Sequence, residues 1–181
     1  DERTVVVIAD GRKFVAETDE RFDAIIVDSS EPIGPSAVLH TPEFYASCKH
    51  ALKEDGILVT HNGLPFLFPE HLADTTRAFA SLFERVAPYM CTQPCYFGGP
   101  FALNWGSDED EHLDIAEKKL AKRQQKRGIE TRYWTPAVHN AAFALPAYAQ
   151  TVVDKAMAEG RSERCGKNGR GKNKSAKKNR I

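Results

Sequence analysis

The chain has 181 residues, with 25 basic and 25 acidic side chains, a formal net charge of zero and 41% hydrophobic residues. That is enough apolar material for one core and one domain, while the longest apolar runs, Thr4–Ala9 and Ala24–Val27, fall far short of the roughly 18 residues of a membrane helix, so no span is expected. The zero hides an asymmetry: residues 161–181 hold nine basic side chains and one acid, leaving a body of net −8 joined to a tail of net +8.

In chain order, Thr4–Ala9 (TVVVIA) is a β-branched run without polar alternation that ends at Asp10-Gly11. That pattern predicts a strand buried on both faces. Phe22–Val27 repeats it and ends at Asp28, and Gly56–Thr60 follows, ending at His61-Asn62-Gly63. Between these runs lie helical stretches over Lys13–Thr18, Pro42–Leu52 and Pro69–Phe83, the last two with proline in the first turn. Arg85–Tyr96 and Phe101–Trp105 read as a hairpin around Gly98-Gly99-Pro100. Ser107 is expected to cap a helix with acids at its start, basic residues at its end and Gly128 as its stop. His139–Ala144 and Ala147–Ala158 are expected as terminal helices split by Pro146.

After Gly160 the composition turns to Gly, Asn, Ser, Lys and Arg. The expected organisation is therefore one domain over residues 1–158 and a disordered basic tail over 159–181. Such a tail has charge for nonspecific nucleic-acid contact but no aromatic for stacking on bases. Its GKNGRGK run, residues 166–172, mimics a phosphate loop, yet Asn173 stands where a magnesium-binding hydroxyl is required and no strand precedes it.

Strands alternating with helices predict an open α/β sheet, in which ligands bind beyond the carboxyl ends of the strands. That rule directs attention to Asp10, Asp28 and His61. The loop Asp28–Pro35 (DSSEPIGP) sets two carboxylates three residues apart after a buried strand, stiffened by Pro32 and Pro35. Such a pair can accept a proton or hold a cation, or it can simply cap the next helix. Asp10-Gly11 can receive an adenine amino group or be an ordinary turn. Tyr96 can hold a phenol over the same edge or pack on its hairpin. The four cysteines and six histidines show no metal-ligand spacing, so no metal site is expected. No basic region followed by an apolar run opens the chain, so no secretory leader is expected and the cytoplasm is the expected compartment.

Seven segments in order resemble the polyamine aminopropyltransferases, specifically the bacterial spermidine synthases. They are ADG at Ala9–Gly11, IIVDSSEPIGP at Ile25–Pro35, EFY at Glu43–Tyr45, LKEDGILVT at Leu52–Thr60, NGLPF at Asn62–Phe66, YFGGPFALNWGSDED at Tyr96–Asp110 and TRYWTPAVHNAAFALPAY at Thr131–Tyr148. The resemblance implies transfer of an aminopropyl group from decarboxylated S-adenosylmethionine, a co-substrate, to putrescine, giving spermidine and 5′-methylthioadenosine without a metal or redox cofactor. It implies Asp28 as proton acceptor and Asp28, Ser29, Ser30 and Glu31 as contacts to the amine. Asp10 and Gly11 would hold the adenine end, Pro35 would line the nucleoside pocket, and Tyr96 would orient the nucleophile. His61 would contact substrate where the family usually has Gln, and Glu31 stands where it usually has Asp.

The implied fold is a Rossmann-like, methyltransferase-type, mostly parallel sheet with a C-terminal antiparallel hairpin. The family's N-terminal hairpin domain and its first two sheet strands are not in the sequence, and in the family's strand order those two strands lie between Thr4–Ala9 and Phe22–Val27. The chain is therefore expected to be the C-terminal part of a longer enzyme, inactive alone, whose full-length form is a homodimer. Two other readings stay open: a binding remnant of the fold without its chemistry, and an S-adenosylmethionine-dependent methyltransferase.

Overall fold

A computed structural model describes residues 2–175, with side chains to Gly166. The elements in chain order are α1 (Gly11–Glu17), β1 (Phe22–Val27), a 3₁₀ segment (Gly34–His40), α2 (Pro42–Ala51), β2 (Leu52–Gly63), α3 (Pro69–Leu82), β3 (Arg85–Cys91) and β4 (Phe101–Ser107). A short 3₁₀ turn (Asp110–His112), α4 (Glu117–Arg127), α5 (Pro136–Ala142) and α6 (Ala147–Ser175) complete them.

The sheet has the order β1-β2-β4-β3. β1 and β2 are parallel, whereas β4 pairs antiparallel with both β2 and β3. The α/β class and the closing hairpin match expectation, but the sheet is mixed rather than mostly parallel. The reason is the first predicted strand. Thr4–Ala9 is irregular, and its side chains face solvent, Val6 at 82% and Ile8 at 99% exposure. Its composition suits a buried strand, but no strand among the described residues offers its backbone a ladder partner. β1 is consequently an edge, with Ile26 72% exposed.

Helix starts follow their predicted chemistry. Thr41 Oγ1 accepts from the Phe44 amide at 3.2 Å, with Pro42 in the first turn of α2, and Pro69 opens α3. Gly128, at φ 59°, ends α4. Ser107 does not start that helix. It is the buried end of β4, donating to the Gly56 carbonyl at 3.0 Å, while neighbouring Asp108 pairs with Lys49 at 2.6 Å. Those ties fasten the strand end, and α4 begins only at Glu117.

Two buried clusters hold the layers together. Phe44, Tyr45 and Cys48 of α2 pack with Leu58 of β2 and with Phe79 and Phe83 at the end of α3. Leu72, Met90, Ala102, Ala149 and Val153 join α3, the hairpin and α6. Burial pushes the Cys48 thiol up to about 12, consistent with a packing role.

The helix expected over Ala147–Ala158 runs further. α6 runs unbroken to Ser175, and Gly160 is buried against α3, where an added Cβ would stand 2.3 Å from the Arg77 carbonyl oxygen. Gly160 is thus a contact that lets two helices approach. Arg164 donates to the Phe83 carbonyl at 2.9 Å and pairs with Glu84, so one of the tail's nine basic groups is docked on the body. The expected disorder of the last residues and the side chains that would contact nucleic acid, Lys167 onward, lie outside the described residues. Among the described residues no helix is long and apolar enough to cross a membrane.

Candidate active site

The carboxyl ends of β1 and β2 open onto a cavity of about 220 Å³ walled by Glu31, His40, His61, Asn62, His71 and Asp74. Each arrives from a different local cause. Glu31 comes from the loop after β1, and His40 from the end of the 3₁₀ segment that Pro35 helps start. His61 and Asn62 end β2, while His71 and Asp74 lie three residues apart on one face of the first turns of α3. The volume suits a small aliphatic solute and is below the range of nucleoside-sized pockets.

Polar contacts tie the walls together. Ser29 Oγ lies 3.1 Å from His40 Nε2 and 3.4 Å from His61 Nε2. His40 Nε2 also donates to the Ser30 carbonyl at 3.1 Å. His71 Nδ1 stands 3.5 Å from the Glu31 carboxylate, with its ring stacked on Phe68. Glu31 in turn lies over Gly63, whose φ is 64°. Burial is the main influence on His40 and holds its imidazole below the usual histidine range. The Ser30 carbonyl opposes that shift, and His61 and His71 add to it. The wall therefore presents a neutral imidazole and carboxylates, a surface suited to a cationic or amine ligand. The imidazoles and acids are not disposed to share a metal ion among the described residues.

The structure brings Glu31 and His61 to this cavity, and Ser29 behind its wall, in contact with His40 and His61. Tyr96 reaches it indirectly, stacking on Phe101 at 5.3 Å while Phe101 stacks on His61 at 5.8 Å. Asp28 and Ser30 are exposed in the adjoining loop. Asp10, Gly11 and Pro35 do not line the cavity. Asp10 caps α1, its Oδ1 accepting from the amides of Arg12 at 2.9 Å and Lys13 at 3.2 Å, so the expectation that it ends a sheet strand is corrected. Gly11 is the first residue of that helix and Pro35 is exposed in the 3₁₀ segment.

Four wall residues were not singled out by the sequence: His40, Asn62, His71 and Asp74. Asn62-Gly63 after a strand reads as a turn, which conceals the wall position of the amide. The i,i+3 spacing of His71 and Asp74 at the start of a helix was the one available signal.

Comparison with known proteins places the chain in one group. The spermine/spermidine synthase domain model matches residues 1–117. A polyamine aminopropyltransferase from Ruegeria sp. is 47% identical over 152 residues, 84% of this chain and 54% of that protein. One from Pseudomonas syringae pv. tomato is 42% identical over 156 residues, 86% of this chain and 54% of that protein. Among solved structures, a spermidine synthase in complex with the transition-state analogue AdoDATO superposes with TM-score 0.77 at 31% identity, covering 85% of this chain and 52% of its own. That of Thermotoga maritima gives 0.74 at 31% identity, covering 85% and 51%. The chain spans about half the length of the curated relatives it matches.

Proposed function

This chain belongs to the spermine/spermidine synthase family, and from that premise we propose that it carries the amine side of an aminopropyl-transfer site acting on decarboxylated S-adenosylmethionine and putrescine. The observation that supports this reading best is the small cavity at the strand ends, where Glu31 and Asp74 share the lining with the imidazoles of His40, His61 and His71.

In this reading the diamine lies in the cavity with one nitrogen directed toward Asp28. That nitrogen attacks the aminopropyl carbon next to the sulfonium. A C–N bond forms as the C–S bond breaks, and the bonding pair passes to sulfur, leaving neutral 5′-methylthioadenosine. An amine attacks only with a free lone pair, so Asp28 accepts its proton. The positively charged sulfonium is itself the leaving group, so the step needs no metal or redox group from the protein. Alignment of nitrogen, carbon and sulfur supplies much of the acceleration.

Glu31 and Ser29 hold the amine chain, and the Tyr96–Phe101–His61 stack fixes the near wall. Ser30, beside them in the loop, lends its carbonyl to His40. The thioether nucleoside belongs outside the cavity, on the side of Asp10, Gly11 and Pro35. Asp10 Oδ1 is taken by α1, which leaves Oδ2 for the adenine amino group. As soluble-substrate chemistry on charged metabolites, the reaction suits a cytoplasmic protein.

The test is a product assay with decarboxylated S-adenosylmethionine and putrescine. The chain alone is expected to give no spermidine, and mixing it with a polypeptide covering the remaining half of the Ruegeria relative is expected to restore spermidine and 5′-methylthioadenosine together. A complemented mixture in which both substrates bind and no product forms would overturn the reading.

A further inference from the structure

β2 carries an irregularity at its end. Its His61 pairs with Leu103 of β4 and its Gly63 with Ala102, so Asn62 is an extra residue in the ladder. Successive residues of a regular strand point to opposite faces. The bulge instead turns His61 and Asn62 onto the wall of the same cavity.

Asn62 is 3% exposed, yet neither Oδ1 nor Nδ2 of its amide has a partner, and the same holds for Nδ1 of His61 at 5% exposure. Buried polar groups left unpaired weaken a fold, and such groups call for an explanation. His61 and Asn62 line the same cavity as Glu31, with these atoms just beneath its surface. In the tautomer whose Nε2–H donates to Ser29 Oγ, His61 Nδ1 is a free lone pair. The wall then offers three kinds of acceptor to one small volume: the Asn62 amide oxygen, the Glu31 carboxylate and the His61 ring nitrogen. A primary ammonium has three donors in a compact head, which matches that set.

We propose that Asn62 is a specificity-determining residue of this site, its Oδ1 taking one N–H of the acceptor so that the cavity selects a primary amino group over an N-methylated one. This rests on the aminopropyl-transfer reading of the same cavity. A dimethylated ammonium keeps one N–H of three, so a site whose buried acceptors take several N–H bonds holds it more weakly, some of those acceptors then staying unpaired.

The experiment is calorimetric titration of the 181-residue chain with putrescine, with N,N,N′,N′-tetramethylputrescine and separately with 5′-methylthioadenosine, alongside thermal unfolding without ligand. Asn62→Leu should weaken putrescine binding about 5- to 100-fold and leave methylthioadenosine binding unchanged. Its Tm should be no lower than that of the wild type, because it removes an unpaired amide of similar shape. Asn62→Asp, which keeps the acceptor oxygen, should retain putrescine binding. The tetramethyl analogue should bind the wild type at least about 5-fold more weakly than putrescine. Equal putrescine affinity in Asn62→Leu and wild type would overturn the assignment, as would a fall in its Tm together with weaker methylthioadenosine binding. A wild type that binds methylthioadenosine but not putrescine overturns it too. A wild type that binds neither overturns the transfer reading, and this assignment with it.

Discussion

The Glu31 carboxylate lies directly over Gly63, where an added Cβ would stand 3.4 Å from Oε1 and 3.6 Å from Oε2. A side chain at residue 63 would thus meet Glu31 only at ordinary contact distance. Gly63→Ala should therefore act through the backbone, which is held at φ 64°, at a cost of about 1–2 kcal/mol. Urea unfolding should show that loss, and putrescine titration should show an affinity little changed. A variant with unchanged stability would contradict the left-handed backbone at the end of β2.

Burial depresses His40 and His139, so both are neutral in the fold and take up protons more readily once it unfolds. Wherever the unfolded chain binds more protons, stability rises with pH. The contribution of these two groups is complete above the ordinary histidine value of about 6.5 and is lost as pH falls below it. Tm should thus drop between pH 7.5 and 5.5, and His40→Phe should reduce the slope. Asp23, which Lys53 holds low, acts only in a more acidic range and does not confuse that window. A Tm independent of pH across the window would contradict the burial of these rings.

Gly160→Ala is expected to destabilise although alanine favours helix by about 1 kcal/mol. The new Cβ would meet the Arg77 carbonyl oxygen at 2.3 Å and the Ala80 Cβ at 2.7 Å, and such overpacking costs about 1–3 kcal/mol. A lower urea midpoint supports the close approach of α6 to α3. A higher midpoint would mean that residue 160 lies beyond the packed body.

Val6→Lys and Ile8→Lys are expected to leave stability within about 0.5 kcal/mol of wild type. Both positions are exposed, at 82% and 99%, despite sitting in the most strand-like run of the sequence. They should also lower self-association, because an uncharged β-branched run is prone to pair with copies of itself. Loss of several kcal/mol on either change would show that Thr4–Ala9 is packed.

What could be read from the sequence was what local chemistry decides. Pro42, Pro69 and Gly128 marked helix ends correctly, and the apolar runs at Phe22–Val27 and Gly56–Thr60 are strands. What could not be read depends on partners distant in the chain. Thr4–Ala9 has strand composition but no strand neighbour among the described residues, Ser107 accepts from the Glu109 amide and donates to Gly56 without starting α4, and Gly160 resembles a linker while packing on Arg77. The site follows the same division. The loop acids were visible as a motif, whereas Asn62 reaches the cavity only because of a bulge in its pairing with β4, and His40 only because the 3₁₀ segment turns it back toward Ser29.

The account rests on the cavity at the ends of β1 and β2 being an amine site. The most direct measurement is a putrescine titration of the ¹⁵N-labelled chain followed residue by residue in heteronuclear spectra. The account predicts saturable shifts confined to the Asp28–Glu31 loop, His40, the His61–Gly63 bulge, and His71 and Asp74 in α3. Shifts that do not saturate, or that spread over the acidic surface without favouring these residues, would contradict it.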